Sequence, residues 1–198
     1  MKVLLINGSP HEKGCTYTAL SLIAGELKAQ GIETEILHVG GQPVGGCIGC
    51  GGCRSGNGCV FGGVVNEAIE KAKTADAFVF GSPVHYASAA GNMASFMDRL
   101  AYAGGKYLAY KPAAICCSAR RAGTTSTLDQ LVKYPQFFHM PLVNGSYWAM
   151  VHGSNPEQVL QDAEGCAVMQ ELGRNMAWLL RCIEAGKAAG IDLSLIHI

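Results

Sequence analysis

Apolar residues along this chain fall into short blocks separated by polar and glycine-rich punctuation. Val3-Leu4-Leu5-Ile6 is a continuous apolar run that stops at Asn7-Gly8, the pattern of a strand covered on both faces. From Thr16 to Gln30 the spacing of Leu20, Ile23 and Leu27 predicts a helix, and Thr34 to Leu37 predicts a second strand. The stretch from Gly40 to Gly63 has neither period and is rich in Gly and Cys; so long a loop inside a compact domain is usually functional. A helix is then expected over Asn66 to Lys73, and a third strand over Ala77-Phe78-Val79-Phe80, stopped by Gly81-Ser82-Pro83. Met93, Phe96, Met97 and Leu100 mark a helix between Gly91 and Tyr102, and Ala113 to Cys117 forms a fourth apolar strand before Ser118. Thr124 to Leu131 predicts a helix, and Pro141-Leu142-Val143 with Tyr147-Trp148 a fifth strand region. Val168, Leu172, Met176, Leu179 and Ile183 mark a long last helix.

Strand and helix alternate five times, which predicts an α/β domain with a parallel sheet, right-handed crossovers and ligands at the carboxyl ends of the strands. The 198 residues suffice for one domain, taken as residues 1–192. Residues 193–198, Leu-Ser-Leu-Ile-His-Ile, look like the translated end of a sequencing-library transposon and are expected to be a non-native tail. A hydrophobic share of 49% against 15% charged predicts a globule. The net charge is zero and no basic cluster exceeds Arg120-Arg121, which argues against a nucleic-acid partner. Four apolar residues before Asn7 are too few for a signal-peptide core, and no apolar run spans a bilayer. The expectation is a cytoplasmic protein without a membrane partner, where thiols stay reduced. Nine cysteines then point to metal, redox or buried roles rather than disulfides.

Two loops carry candidate chemistry. The segment Gly8 to Thr18 joins the first strand to the first helix, where free backbone N–H groups and the helix dipole attract an anion, and Ser9, Thr16 and Thr18 add hydroxyls. It lacks the Gly-Lys-Ser/Thr of a P-loop and the G-x-G-x-x-G of a dinucleotide fingerprint, so a terminal monophosphate fits better. The competing reading is an ordinary capped turn. Gly81 to Ser88 follows the third strand, where a ligand lying across the carboxyl edge would place its ring; taken alone it is a strand-ending turn.

In these two loops the sequence resembles the NADPH-dependent FMN reductases and iron-sulfur flavoproteins of the flavodoxin-like superfamily, and the resemblance extends over nearly the whole chain. The family's phosphate loop reads G-S-P-R-x-x-G-N-T, and Gly8-Ser9-Pro10, Gly14 and Thr16 stand in register with it. His11 replaces the usual Arg, and Cys15 the usual Asn, which leaves Cys15 only its N–H for a phosphate. Ser82-Pro83-Val84-His85-Tyr86 matches the loop that faces the flavin pyrimidine edge, with His85 in place of the first aromatic. The resemblance implies a flavodoxin-like three-layer sandwich with a five-stranded parallel sheet in the order 2-1-3-4-5. It implies that Ser9, His11, Cys15, Thr16, Tyr17 and Thr18 surround the FMN phosphate. Ser82, Pro83, Val84, His85 and Tyr86 would meet the ring, and Ser118 and Arg120 would lie near it. Arg120 or Arg121 would meet a nicotinamide dinucleotide phosphate, the alternative being a solvated or helix-capping pair. Phe96-Met97-Asp98-Arg99-Leu100 is similar to the family's A-F-x-D-R stretch, with Asp98 and Arg99 expected to be a structural pair.

Cys47, Cys50, Cys53 and Cys59 form C-x2-C-x2-C-x5-C in the glycine-rich loop. Four thiolates this close can wrap one tetrahedral or cubane site. The spacing resembles the compact motif of iron-sulfur flavoproteins, which implies a 4Fe-4S cluster; zinc and free thiols are the competitors. Cys15, Cys116, Cys117, Cys166 and Cys182 are expected to be small buried side chains.

The activity these resemblances imply is hydride transfer from NAD(P)H to bound FMN and on to a quinone, a flavin or a redox-protein carrier. An FMN electron carrier without NAD(P)H turnover and a zinc or thiol sensor are the alternatives, discriminated by pyridine-nucleotide oxidation and by metal content without yellow colour. A homodimer is expected from the family, with Tyr134, Tyr147 and Trp148 either closing the flavin site across its interface or buried within one subunit.

Overall fold

A computed structural model describes residues 1–191; the tail expected at 193–198 lies outside the described residues. The elements run β1 (Lys2–Asn7), α1 (Cys15–Ala29), β2 (Glu33–His38), α2 (Val64–Thr74), β3 (Ala77–His85), β4 (Ser88–Ala89), α3 (Gly91–Gly104), β5 (Ala113–Ala119), α4 (Thr124–Phe137), β6 (Met150–His152), α5 (Pro156–Val159) and α6 (Ala163–Ala188). The parallel strands lie in the order β2-β1-β3-β5-β6, and the two-residue β4 pairs antiparallel with the end of β3. Setting β4 aside, the order is the expected 2-1-3-4-5.

The continuous apolar strands follow from burial on both faces. In β1, Leu4 and Ile6 point to one core with Phe78 and Phe80, and Val65, Ile69, Phe96, Met97 and Leu131 of α2, α3 and α4 cover that face. Val3 and Leu5 point to the other core with Val79 and Ala114, covered by Leu20, Ile23 and Leu27 of α1 and by Met169, Leu172 and Met176 of α6. One strand therefore needs hydrophobic residues at successive positions. Gly173 permits the close approach of α6 to α1, because a Cβ there would meet the Ile23 carbonyl oxygen at 2.8 Å.

Two expectations are corrected. β3 does not stop at Phe80 but continues to His85 and turns through Tyr86 and Ala87 into β4. At Ser82 and Pro83, past Gly81, the last residue matched to β1, and before the pairing with β4 begins at Val84, only β5 flanks it, an edge position where Pro83 is tolerated. The fifth parallel strand is Met150–His152 rather than the region expected from Pro141 to Trp148. Leu142 makes a single bridge to Ala113, whereas Tyr147 and Trp148 are 52% and 59% exposed and stack edge-on against each other. It is Val151, fully buried, that anchors the strand.

Candidate functional site

The carboxyl ends of β1, β3 and β5 bring the predicted loops together. β1 ends at buried Asn7, whose Oδ1 accepts from the Ser9 amide at 3.1 Å and whose Nδ2 donates to the Glu12 carbonyl at 2.9 Å. The Ser9 hydroxyl accepts from the His11 amide at 3.1 Å. The loop is thus wound by its own side chains before α1 begins. Gly14 precedes α1 and no side chain caps the helix, nor is its first turn acidic, so the amides of Cys15, Thr16 and Tyr17 have no intrahelical acceptor. Uncapped amides at the positive end of a 15-residue helix are what an anion requires.

Side chains divide around this turn. Thr16, buried, shares a 2.8 Å hydrogen bond with Ser118 of β5, tying the start of α1 to the carboxyl end of β5. The Thr18 hydroxyl and amide are both spent on the Gly14 carbonyl, at 3.2 and 3.0 Å, and Cys15 Sγ donates to the Gly153 carbonyl at 3.5 Å, which leaves the Cys15 backbone amide as its free donor. Burial pushes the Cys15 thiol up. His11 is exposed and Tyr17 half-buried.

The loop is also held from behind by residues that local sequence patterns did not reveal. His38 Nε2, at the end of β2, lies 2.8 Å from the Ser9 carbonyl oxygen. Gly40 backs directly onto the loop: a Cβ there would meet the Ser9 carbonyl oxygen at 2.2 Å and the Gly8 carbonyl oxygen at 2.5 Å. Asn92, at the start of α3, donates to the Gly40 and Gln42 carbonyls and accepts from the Val44 amide.

Beside this turn, Ser82 is fully buried and its hydroxyl accepts from the Ala90 amide at 3.0 Å, and Pro83 lies in register with Ser118. The hairpin tip beyond them, Tyr86 and Ala87, has φ of 50° and 58°, as a two-residue turn of type I′ demands, although neither residue is glycine or asparagine. Gln130 Oε1 clamps the return strand by accepting from Ser88 Oγ and the Ala89 amide. Val84, Tyr86 and Arg120 line an open cavity of about 520 Å³ with Ala87 and Arg121. Tyr86 is wholly solvent-exposed and His85 is exposed. Left-handed alanine costs about 1–2 kcal/mol and glycine returns roughly 0.5–1 of that through unfolded-chain entropy. Ala87→Gly should therefore raise the urea midpoint by an amount equivalent to about 0.5–1 kcal/mol; an unchanged or lower midpoint contradicts the strain.

The cysteine loop forms a separate locus against α3. Cys47, Cys50, Cys53 and Cys59 all line one cavity of about 210 Å³ together with Arg99 and Tyr102. Gly49, Gly51, Gly56 and Gly58 adopt positive φ along it, which lets the chain curl around the cavity. Asn66 clamps Cys59 by accepting from its amide at 2.8 Å and donating to its carbonyl at 3.0 Å. The four residues suit a metal-sulfur group in donor type, with Cys53 and Cys59 half-buried and Cys47 and Cys50 exposed. Among the described residues no three His, Cys, Asp or Glu side chains are gathered around a point for a single ion.

The expected Asp98–Arg99 pair is not formed. Asp98 accepts from the Tyr134 hydroxyl at 2.6 Å, whereas Arg99 Nε donates to Cys59 Sγ at 3.2 Å. Tyr134, raised well above the usual phenol range by burial and by that carboxylate, braces α3 against α4. Of the remaining cysteines, Cys116 and Cys117 are buried, and burial pushes the Cys117 thiol up to about 12. Cys15 and Cys166 are half-buried, but Cys182 is exposed on the outer face of α6, contrary to expectation. No helix among the described residues is long and apolar enough to cross a membrane.

Comparison with known proteins agrees with this arrangement. The sequence profile of the NADPH-dependent FMN reductase family matches residues 1–155. An iron-sulfur flavoprotein of Methanocaldococcus jannaschii is 27% identical over 192 residues, covering 93% of this chain and all of that protein. The fold is similar to that of RosB, solved with bound 8-demethyl-8-formylriboflavin-5′-phosphate, at a TM-score of 0.72 and 14% identity over all of this chain and 91% of the other. It is also similar to an archaeal flavodoxin, at a TM-score of 0.56 and 14% identity over 88% of this chain and 99% of the other. At such identities the likeness is one of fold, which is flavodoxin-like.

Proposed function

The chain belongs to the NADPH-dependent FMN reductase family, and from that premise we propose that it is an NAD(P)H:FMN oxidoreductase whose β1–α1 turn holds the flavin phosphate and whose β3–β4 hairpin holds the ring. The observation that carries this reading is the uncapped start of α1, wound by Asn7 and Ser9 and backed by His38 and Gly40. It sits one hydrogen bond, Thr16 to Ser118, from the strand end that leads to the Arg120 cavity. When bound, FMN supplies hydride acceptance from a nicotinamide and electron delivery to an acceptor. The chain supplies binding and exclusion: first-turn amides for the phosphate dianion, Ser82 to Tyr86 along the ring, and the exposed guanidinium groups of Arg120 and Arg121 for a dinucleotide phosphate. The acceptor in this reading is a quinone, a free flavin or a redox protein. The working unit is a homodimer covering the exposed Tyr147–Trp148 pair.

Anaerobic protein saturated with FMN should lose its flavin absorbance when NADPH is added, and regain it with a quinone. Flavin that stays oxidised in excess NADPH and NADH contradicts the oxidoreductase reading and leaves an electron carrier.

The same reading assigns Cys47, Cys50, Cys53 and Cys59 to an iron-sulfur cluster, which when bound supplies one-electron exchange. Iron and acid-labile sulfide retained after anaerobic reconstitution is the expected result, and retention of neither dismisses it.

A further inference from the structure

Arg99 is 7% exposed, and among the described residues no carboxylate stands within ion-pair distance of it. Its sequence neighbour Asp98 is turned to Tyr134. An unbalanced buried cation is costly, so a fold that keeps one is expected to place an anion against it. The guanidinium reaches only the cysteine loop: Nε donates to Cys59 Sγ at 3.2 Å, Nη2 to the Gly62 carbonyl at 3.0 Å and Nη1 to the Gly45 carbonyl at 3.4 Å. Phe61 lies over its other side, the ring centroid 5.6 Å from Cζ. Gly45 precedes the first cysteine of the loop and Gly62 follows the last, so one side chain fastens both ends of the cysteine segment and touches one of its sulfurs.

We propose that Arg99 is the positioning and charge-balancing residue of the cysteine site, latching the loop through Gly45 and Gly62 and donating a charge-assisted hydrogen bond to the Cys59 sulfur. The proposal rests on the cluster reading above. A cubane on four thiolates is an anion, and the entry of one electron makes it more so. A buried cation bonded to a ligand sulfur stabilises the reduced form more than the oxidised one, which raises the reduction potential. Asn66 serves the same end through the backbone, holding Cys59 in place on both its amide and its carbonyl.

The test uses the full chain reconstituted anaerobically with ferrous iron and sulfide, followed by a dithionite titration read by electron paramagnetic resonance. Circular dichroism and bound FMN serve as the check on folding. Arg99→Gln removes the charge and should shift the one-electron equilibrium at least tenfold toward the oxidised cluster, a fall of 59 mV or more. Arg99→Lys keeps the charge and should recover more than half of that fall, with lower iron occupancy because the fork to Gly45 and Gly62 is lost. A folded Arg99→Gln variant with the midpoint of the unaltered chain overturns the proposal. Should Arg99→Gln not fold, Arg99→Lys decides: unchanged midpoint and occupancy overturn the proposal, and a fall in both supports it. If the unaltered chain holds neither iron nor sulfide, the cluster reading fails and this proposal with it, whereas a bound cluster indifferent to Arg99 removes this proposal alone.

Discussion

Gly40→Ala is expected to weaken FMN binding about 100-fold, roughly 3 kcal/mol, while the chain remains folded. The added methyl would stand 2.2 Å from the Ser9 carbonyl oxygen and 2.4 Å from the Ser9 carbonyl carbon. Both are backbone atoms of the turn proposed to offer its amides to the phosphate, so no side chain can swing aside and the turn itself must move. Overpacking of this kind costs about 1–3 kcal/mol or more. Here the cost falls on the loop rather than on the core, because Gly40 lies beyond the end of β2. Displacing Ser9 also disturbs its bond to His38 and its turn to His11. Flavin fluorescence titration measures the effect; a dissociation constant within about threefold of the unaltered chain would show that the turn does not carry the phosphate.

Gly123→Ala is expected to lower the melting temperature by roughly 6–12 °C, from about 3 kcal/mol at this chain length. Gly123 precedes α4 with φ of +92°, and a Cβ there would meet the Ala87 Cα at 2.7 Å and Val84 Cγ1 at 2.9 Å. The left-handed backbone costs about 1–2 kcal/mol for alanine, and the collision with the hairpin adds to it. The Gly123 carbonyl also accepts from the Ser126 and Thr127 hydroxyls, and Ser126 Oγ donates to the Ala87 carbonyl, so the start of α4 and the β3–β4 turn shift together. Scanning calorimetry tests this, and a melting point unchanged within about 2 °C would contradict the packing of hairpin against helix.

Patterns that depend on local burial were legible in the sequence. The apolar runs of β1, β3 and β5 could be read because both sheet faces are covered, and the two site loops because glycine, proline and hydroxyl residues punctuate the strand ends. The fifth strand was not: β6 has three residues, too few to show a period, while the β-favouring aromatics Tyr147 and Trp148 lie on the surface. Asp98 and Arg99 were expected to pair from the likeness of Phe96 to Leu100 to the A-F-x-D-R stretch. Adjacent residues on a helix do not face each other, and these two project to different neighbours, Tyr134 and Cys59. Gly40, His38, Asn92 and Gln130 act through contacts to distant segments, which no spacing in one chain reveals. The cysteine motif was plain, but the cation placed against it came only with the packing of α3 on the loop.

The most direct test of the central claim is a calorimetric titration of flavin-free protein with riboflavin 5′-phosphate, paired with the same titration using riboflavin. If the opening turn grips the phosphate, the phosphorylated flavin binds at one site per chain with quenched fluorescence, and riboflavin binds at least about 100-fold more weakly, in line with several charge-assisted hydrogen bonds. Equal affinity for the two flavins, or no heat with either, would contradict the account.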